Sequence, residues 1–307
     1  MWVQPLVGFS LGLALFLVGL LVMSRNLVSS AGSRLQQVLA KAAGNQYLGC
    51  LLGTVVTAVV QSSSAVNATA VGLVGSGVLT YRQGIAIMLG ANIGTTVTAQ
   101  LTVLPLTEYG LWLTVVGLLW WLIGPRRGIR RYVGAAVAGL GGLFMGMQLM
   151  QASLAPFGVT VAQRLFPAAQ NTGPLNAIGI GVAVTLMLQS SSAVTGSVIA
   201  MVGSGILDPR LGIFITLGAN IGTVGTSLLA SVGMNSLAKK AALTDLLLNL
   251  VAVLCVLPWF DKFHHLVVLC SPRASAQIAN AHTMFNIAAS TLALPFVPVI
   301  AKLVDAE

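Results

Sequence analysis

The tetrapeptide Gln-Ser-Ser-Ser occurs twice in this chain, at 61–64 and 189–192. Each copy is followed at the same distance by Gly-Ala-Asn-Ile-Gly-Thr, at 90–95 and 218–223. Placed at two helix starts, Ser62, Ser63 and Ser64 with Ser190, Ser191 and Ser192 would offer hydroxyls and backbone N–H groups where the helix dipole favours an anion. This builds an oxyanion pocket without a buried cation. Gln61, Gln189, Asn92, Asn220, Thr95 and Thr223 offer neutral oxygens. Carbonyls freed at helix breaks expected in Gly-Ala-Asn-Ile-Gly would add more, and a hard cation such as sodium prefers oxygen ligands. A divalent anion and its cations would then neutralise one another.

Positioning such groups is a problem of membrane architecture. The 307 residues are 56% hydrophobic and only 7% charged, where a soluble protein carries about a quarter charged residues. Ordinary globular, disordered and collagen-like classes are excluded. The net charge of +9 suits the loops of a polytopic membrane protein better than nucleic-acid binding. Runs long enough to cross, at about 20 apolar residues each, fall near 3–23, 83–105, 109–124, 132–150, 211–233, 241–260 and 277–301, about seven crossings. The first run has no basic stretch before it and exceeds a signal core, so it is expected to be a retained span. Stretches 48–79 and 176–207 are each cut near the middle by the Gln-Ser-Ser-Ser tetrapeptide into arms too short to cross. Each is expected to be a re-entrant hairpin with its polar tip at mid-membrane, where non-helical backbone must be buried in protein or line a wet cavity.

Counting crossings on this scheme puts Arg25, Arg34, Lys41, Arg82, Arg126, Arg127, Arg130, Arg131, Lys239, Lys240 and Lys302 on one side. Only Arg164, Arg210, Lys262 and Arg273 fall on the other. By the positive-inside rule the N-terminus is expected outside and the C-terminus in the cytoplasm, in a cell (inner) membrane.

The motifs belong to a duplication. Shifted by 128 residues (189 − 61), segment 61–99 agrees with 189–227 at 23 of 39 positions. A weaker pair, GLALFLVGLLVM at 12–23 and GLGGLFMGMQLM at 139–150, extends it backwards. Three expected crossings lie between the copies, so the second should be inverted relative to the first. Inverted repeats with interrupted helices meeting at the midplane are a transporter architecture. Close helix packing also uses Ser, Thr and Gly, but packing does not call for interruption at mid-membrane. The Val-Gly-Ser-Gly segments at 74–77 and 202–205 are expected to let helices approach or flex.

Other polar residues have plainer readings. Arg82 and Arg210 superpose in the repeat and suit snorkelling at the interface, with attraction of an incoming anion as the alternative. Asp245, the only acid inside an expected span, is either an ion-coupling group or an interfacial partner of Lys239 and Lys240. His282 and Asn286 share a helix face and suit structural hydrogen bonding; His264 and His265 are expected in a loop. Cys50, Cys255 and Cys270 match no metal or redox spacing and are expected to be packing residues.

Two QSSS motifs, each followed by GANIGT, resemble the type II sodium/phosphate cotransporter family over nearly the whole chain. GLGGLFMGMQLM resembles its glycine-rich span before the second hairpin, and AHTMFN at 281–286 its A-x-x-H-x-x-F-N signature. The resemblance implies sodium-driven uptake of inorganic phosphate. Carried over by motif, phosphate falls to Ser62, Ser63, Ser64, Ser190, Ser191 and Ser192. Sodium falls to Gln61, Gln189, Asn92, Asn220, Thr95 and Thr223, with Thr98 and Thr226 one helical turn on. In KKAALTDLLLN, Asp245 stands where the signature's His is expected and Leu248 where its Phe is. Many bacterial relatives continue into a domain resembling a phosphate-uptake regulator, so such regulation here would need a separate partner.

The expectation is therefore an all-α integral membrane protein with two inverted-topology repeats, seven or so crossings and two re-entrant hairpins. The first repeat would occupy 1–131, the second 132–260, and a C-terminal transmembrane helix 261–307. It would act as a sodium-coupled phosphate symporter working inward by alternating access, without enzymatic activity or cofactor beyond the coupling ion. The lipid bilayer is its surrounding, and a homo-oligomer is compatible with it. Another oxyanion such as arsenate or sulfate, or protons in place of sodium, is the alternative. An intramembrane serine hydrolase would need one activated serine and a positioned base. Two equivalent serine sites and a lone intramembrane His argue against it. A passive pore would conduct without an ion gradient.

Overall fold

The computed structural model of the chain describes residues 3–41, 45–104, 107–125, 128–154 and 173–304. Among them the regular structure is helical throughout, as expected where a lipid surround leaves backbone groups to pair within their own segment. The first part comprises α1 (Val3–Ala31), α2 (Arg34–Ala40), α3 (Gln46–Val60), α4 (Ser63–Gly75), α5 (Tyr81–Gly94), α6 (Thr96–Val103), α7 (Gly110–Ile123) and α8 (Ile129–Leu154). Then follow α9 (Pro174–Leu188), α10 (Ser191–Gly203), α11 (Pro209–Ala230), α12 (Ser236–Val256), α13 (Phe260–Cys270), α14 (Ala274–Ala293) and α15 (Val297–Leu303).

Among the described residues six helical stretches are long and apolar enough to cross a membrane: Leu6–Ala31, Tyr81–Val103, Ile129–Ser153, Pro209–Ala230, Ser236–Cys270 and Ala274–Leu303. The further crossing expected at 109–124 is the 14-residue α7, roughly 21 Å at 1.5 Å per residue. The two interrupted segments come out as helix, break, helix. Their arms hold 15 and 13 residues in α3 and α4, and 15 and 13 in α9 and α10. At about 20–22 Å none of these arms would span a core of about 30 Å alone.

Three local expectations are corrected. The Gly-Ala-Asn-Ile-Gly segments do not break their helices. α11 runs through its copy, and α5 passes to α6 across Thr95 at φ −64°, ψ −22°, with the Thr95 N–H bonded to Ala91 O at 3.0 Å. The glycines serve close packing instead. A Cβ on Gly90 would fall 1.9 Å from Cys50 O and one on Gly94 2.4 Å from Thr54 O, so α5 lies directly on the backbone of α3. In the second copy a Cβ on Gly218 would lie 2.1 Å from Ile178 O and one on Gly222 2.7 Å from Thr185 Cβ, seating α11 on α9. The Val-Gly-Ser-Gly segments are helix terminators. Gly77 at φ +76° and Gly205 at φ +71° close α4 and α10 by bonds from Val78 N to Leu73 O and from Ile206 N to Met201 O, at 2.9 and 3.0 Å. His264 and His265 lie on α13 rather than in a loop.

α1 and α8, which carry the weaker sequence pair, pack on each other antiparallel. A Cβ on Gly12 would meet Gly146 O at 2.9 Å, and one on Gly19 would meet Gly139 O at 2.7 Å. Two apolar cores result. One gathers α1, α8, α10, α11 and α14 around Phe16, Phe144, Ile199, Ile213 and Phe285. The other gathers α2 to α5, the start of α12 and α15 around Leu39, Val71, Ile85, Met88, Ala241 and Val297. Cys50 is buried in the second core, while Cys255 and Cys270 are exposed and do not pack as expected. Arg126, Arg127 and Arg164, three of the charges used to assign sides, lie outside the described residues.

Candidate functional site

The two breaks share one backbone conformation. Gln61 sits at φ 57°, ψ 33° and Gln189 at φ 52°, ψ 30°, and they are the two non-glycine residues with positive φ among those described. An L-residue held there costs roughly 1–2 kcal/mol, and such strain collects at functional positions. Each glutamine ends its helix by donating its N–H to Thr57 O or Thr185 O, at 2.7 Å in both copies. The next residue is extended, Ser62 at φ −148° and Ser190 at φ −152°, and the following helix begins at once. Each helix is therefore interrupted at a non-glycine residue, which leaves a side chain at the break.

Ser62 Oγ accepts from Ala65 N and Ser190 Oγ from Ala193 N, both at 3.2 Å, so these hydroxyls are N-caps. The N–H groups of Ser63 and Ser64, and of Ser191 and Ser192, stand in first turns where intrahelical acceptors do not exist. Ser63 and Ser191 are buried, and Ser62, Ser64, Ser190 and Ser192 are half-buried. Each tip thus pairs a helix N-terminus with hydroxyls in a partly closed setting, an arrangement able to hold an oxyanion by neutral donors.

The fold brings parts of the two copies together. Thr95 Oγ1 lies 3.4 Å from Ser192 Oγ, joining residues 97 apart in the chain: the first copy's GANIGT threonine meets the second copy's serine. Thr98 Oγ1 donates to Gln61 Oε1 at 2.9 Å, while the Gln61 amide donates back to Ala58 O. The second copy is arranged differently. Thr223 and Thr226 bond to carbonyls of their own helix, at Ala219 O (2.9 Å) and Thr223 O (2.8 Å), and Gln189 is exposed where Gln61 is half-buried. Asn220 Oδ1 accepts from His282 Nε2 at 3.1 Å and from Asn286 Nδ2 at 3.2 Å, the structural hydrogen bonding expected of that pair.

Asp245 makes no interfacial pair with the lysines. It is 1% exposed, whereas Lys240 Nζ donates to Val304 O at 2.6 Å. Its carboxylate faces Asn67, Ser227, Asn249 and Asn92. Asn67, Ser227 and Asn249 had no place in the motif reading. The signal for Asn249 was present, since Asp245 and Asn249 repeat the spacing of His282 and Asn286. Arg210 forms an exposed ion pair with Asp261 and stacks over Phe260 at 5.5 Å. A cavity of about 1340 Å³ opens between α1, α9, α10, α11 and α13. Its walls are mostly apolar and contain no residue of the Gln-Ser-Ser-Ser or Gly-Ala-Asn-Ile-Gly-Thr segments, so the polar groups of those segments lie elsewhere. No group of three or more His, Cys, Asp or Glu able to hold a metal occurs among the described residues.

A family model described as Na+/Pi-cotransporter matches residues 15–152 and, separately, 153–266. The "Uncharacterized protein YqeW" of Bacillus subtilis is 28% identical over 301 residues, 97% of either chain. The "Putative inorganic phosphate export protein YjbB" of Escherichia coli K12 is 27% identical over 293 residues, 93% of this chain and 53% of that protein, so the chain spans about half its length. The "Sodium-dependent phosphate transport protein 2B" of Homo sapiens is 38% identical over 104 residues, 32% of this chain and 15% of that one. No solved structure matches the chain. The chain belongs to the Na+/Pi-cotransporter family, a family of phosphate transporters.

Proposed function

We propose that this member of the Na+/Pi-cotransporter family carries inorganic phosphate into the cell by sodium-coupled symport, with the substrate held between the two Gln-Ser-Ser-Ser tips. The observation that carries the reading is the meeting of Thr95 with Ser192. It sets one strained tip and its serine-capped helix against the helix that packs the other. Phosphate is bound by hydroxyls and N–H groups of Ser62, Ser63, Ser64, Ser190, Ser191 and Ser192, and its charge by the two helix N-termini. Sodium takes oxygens of Gln61, Gln189, Asn92, Thr95 and Thr223, with Thr98 and Thr226 behind them. Asn220 contributes when its amide oxygen is released by His282 and Asn286. The antiparallel packing of α1 on α8 supports an inverted relation between the repeats, with the broken segments as re-entrant hairpins. Alternating access then exchanges the unequal environments of Gln61 and Gln189 between the two copies. The protein acts in the cell (inner) membrane with its N-terminus outside.

A second reading, phosphate export, is favoured by the names of the YjbB relatives. Radiolabelled phosphate flux in proteoliposomes tests both. An inward sodium gradient should drive accumulation that an equal potassium gradient does not and that sulfate does not block. Loss of phosphate from preloaded vesicles, with no sodium-driven accumulation, would replace uptake by export. Equal flux in sodium and potassium would remove the coupling.

A further inference from the structure

Five buried side-chain atoms among the described residues have no hydrogen-bond partner: Thr57 Oγ1, Asn67 Oδ1, Thr185 Oγ1, Thr195 Oγ1 and His282 Nδ1. Four of them form two repeat-related pairs, since 185 − 57 and 195 − 67 are both 128. Buried polar atoms are rarely left unpaired, and packing defects would not fall on the same positions of two copies. The orphans mark places built to be completed by something else.

The two copies nevertheless differ in charge. Asn92 of the first and Asn220 of the second are each faced by a residue pair four apart on a neighbouring helix: Asp245 with Asn249 on α12, and His282 with Asn286 on α14. The two pairs are 37 residues apart at both positions (282 − 245 and 286 − 249). At Asn220 the protein closes the site itself, because two donors occupy the amide oxygen. At Asn92 a carboxylate replaces the imidazole and is poorly matched. Asn67 Nδ2 and Ser227 Oγ approach it at 3.4 Å and Asn249 Nδ2 at 3.2 Å. Hydrogen bonds to an ionised carboxylate normally run about 2.7–2.9 Å. Among the described residues no Lys, Arg or His nitrogen lies within 4.0 Å of it. A buried charge so placed is costly unless a counter-charge arrives. Asn67, fully buried and already touching the carboxylate through its amide nitrogen, keeps its oxygen unpartnered beside it. A cavity of about 10 Å³, close to the room one small ion or water needs, is lined by Asn92 and Asn249, two of the groups that face the carboxylate, and by Asn286 and Ser290, while Asp245, Asn67 and Ser227 stand outside its lining.

We infer that Asp245 is the charged ligand of a sodium site completed by Asn67 Oδ1, Asn92 and Ser227, and that the second copy, with His282 in the same place, has no such site. This deepens the sodium coupling proposed above and rests on it. One of the coupling ions then travels against a fixed protein charge, and the pseudo-symmetric halves hold unequal numbers of cations.

Binding of ²²Na⁺ to the purified protein in detergent, without phosphate, tests this directly. Wild type should bind, and Asp245→Asn should lose about one ion per chain. Asn67→Ala, which keeps the carboxylate, should weaken binding tenfold or more. Asp245→Asn should also melt higher than wild type in choline buffer and lose the rise that sodium gives wild type, which shows that it folds. No binding by wild type, or undiminished binding by Asp245→Asn, overturns the site. Sodium-dependent phosphate uptake unchanged in Asp245→Asn also sinks the site but keeps the coupling. ²²Na⁺ binding that needs Asp245, together with sodium-independent uptake, keeps the site and sinks the coupling.

Discussion

Replacing the two tip glutamines by glycine separates the strain at the tips from the chemistry of their side chains. Glycine adopts positive φ freely, so each substitution relieves roughly 1–2 kcal/mol. It costs about 0.4–1 kcal/mol through a more flexible unfolded chain. For Gln189, exposed and without a side-chain hydrogen bond among the described residues, the net is a gain of about 0.5 kcal/mol. Gln61 also surrenders the bonds to Ala58 O and Thr98 Oγ1, worth about 1 kcal/mol each, so Gln61→Gly should be less stable than wild type by about 1.5 kcal/mol. Because the glycine terms are common to both, the two variants should differ by about 2 kcal/mol whatever the strain is worth. Thermal unfolding in detergent should rank Gln189→Gly at or above wild type and Gln61→Gly below both. Phosphate flux in proteoliposomes should be lost in both. Wild-type flux in Gln189→Gly would show that the side chain is no ligand. Equal melting of the two variants would show that the Thr98 and Ala58 contacts contribute nothing.

Gly218→Ala and Gly90→Ala should each strip folded protein from a size-exclusion profile, because the new Cβ would stand 2.1 and 1.9 Å from backbone oxygens of the facing helix. A monodisperse peak of normal yield from either would refute that packing. Ser191→Ala removes a buried hydroxyl at the second tip and should abolish phosphate flux while leaving the melting temperature within a few degrees of wild type; normal flux would remove the serine from the site. Arg210→Ala breaks an ion pair whose side chains are 50% and 83% exposed, and should change stability by no more than about 1 kcal/mol. A larger loss by thermal unfolding would mean that the stacking on Phe260 is the stronger contact.

Much of the candidate site was legible in the chain because its motifs are duplicated. Polar identities retained at an offset of 128 located both tips, and the polar tetrapeptide in the middle of each apolar stretch marked the breaks. The Gly-Ala-Asn-Ile-Gly segments were misread for a physical reason. Two glycines four apart weaken a helix in water but form its contact face when another helix backbone lies 2–3 Å from where a Cβ would sit, and only the neighbour tells which applies. The same holds for Val-Gly-Ser-Gly, where the glycine's positive φ ends a helix instead of hinging one.

By itself the sequence determined the membrane setting, the helical class, the two interruptions and the residue types at their tips. Each follows from local quantities: apolar run length, the reach of a helix per residue, and hydrogen-bonding chemistry. The tertiary structure decided which groups meet. Thr95 lies against Ser192, His282 and Asn286 close over Asn220, and Asp245 is enclosed by Asn67, Ser227 and Asn249 instead of reaching its neighbouring lysines. Those pairings join residues from 18 to 178 positions apart, apart from the four-residue step to Asn249. They depend on helix crossings set by small-residue contacts, and no local pattern along the chain encodes a crossing.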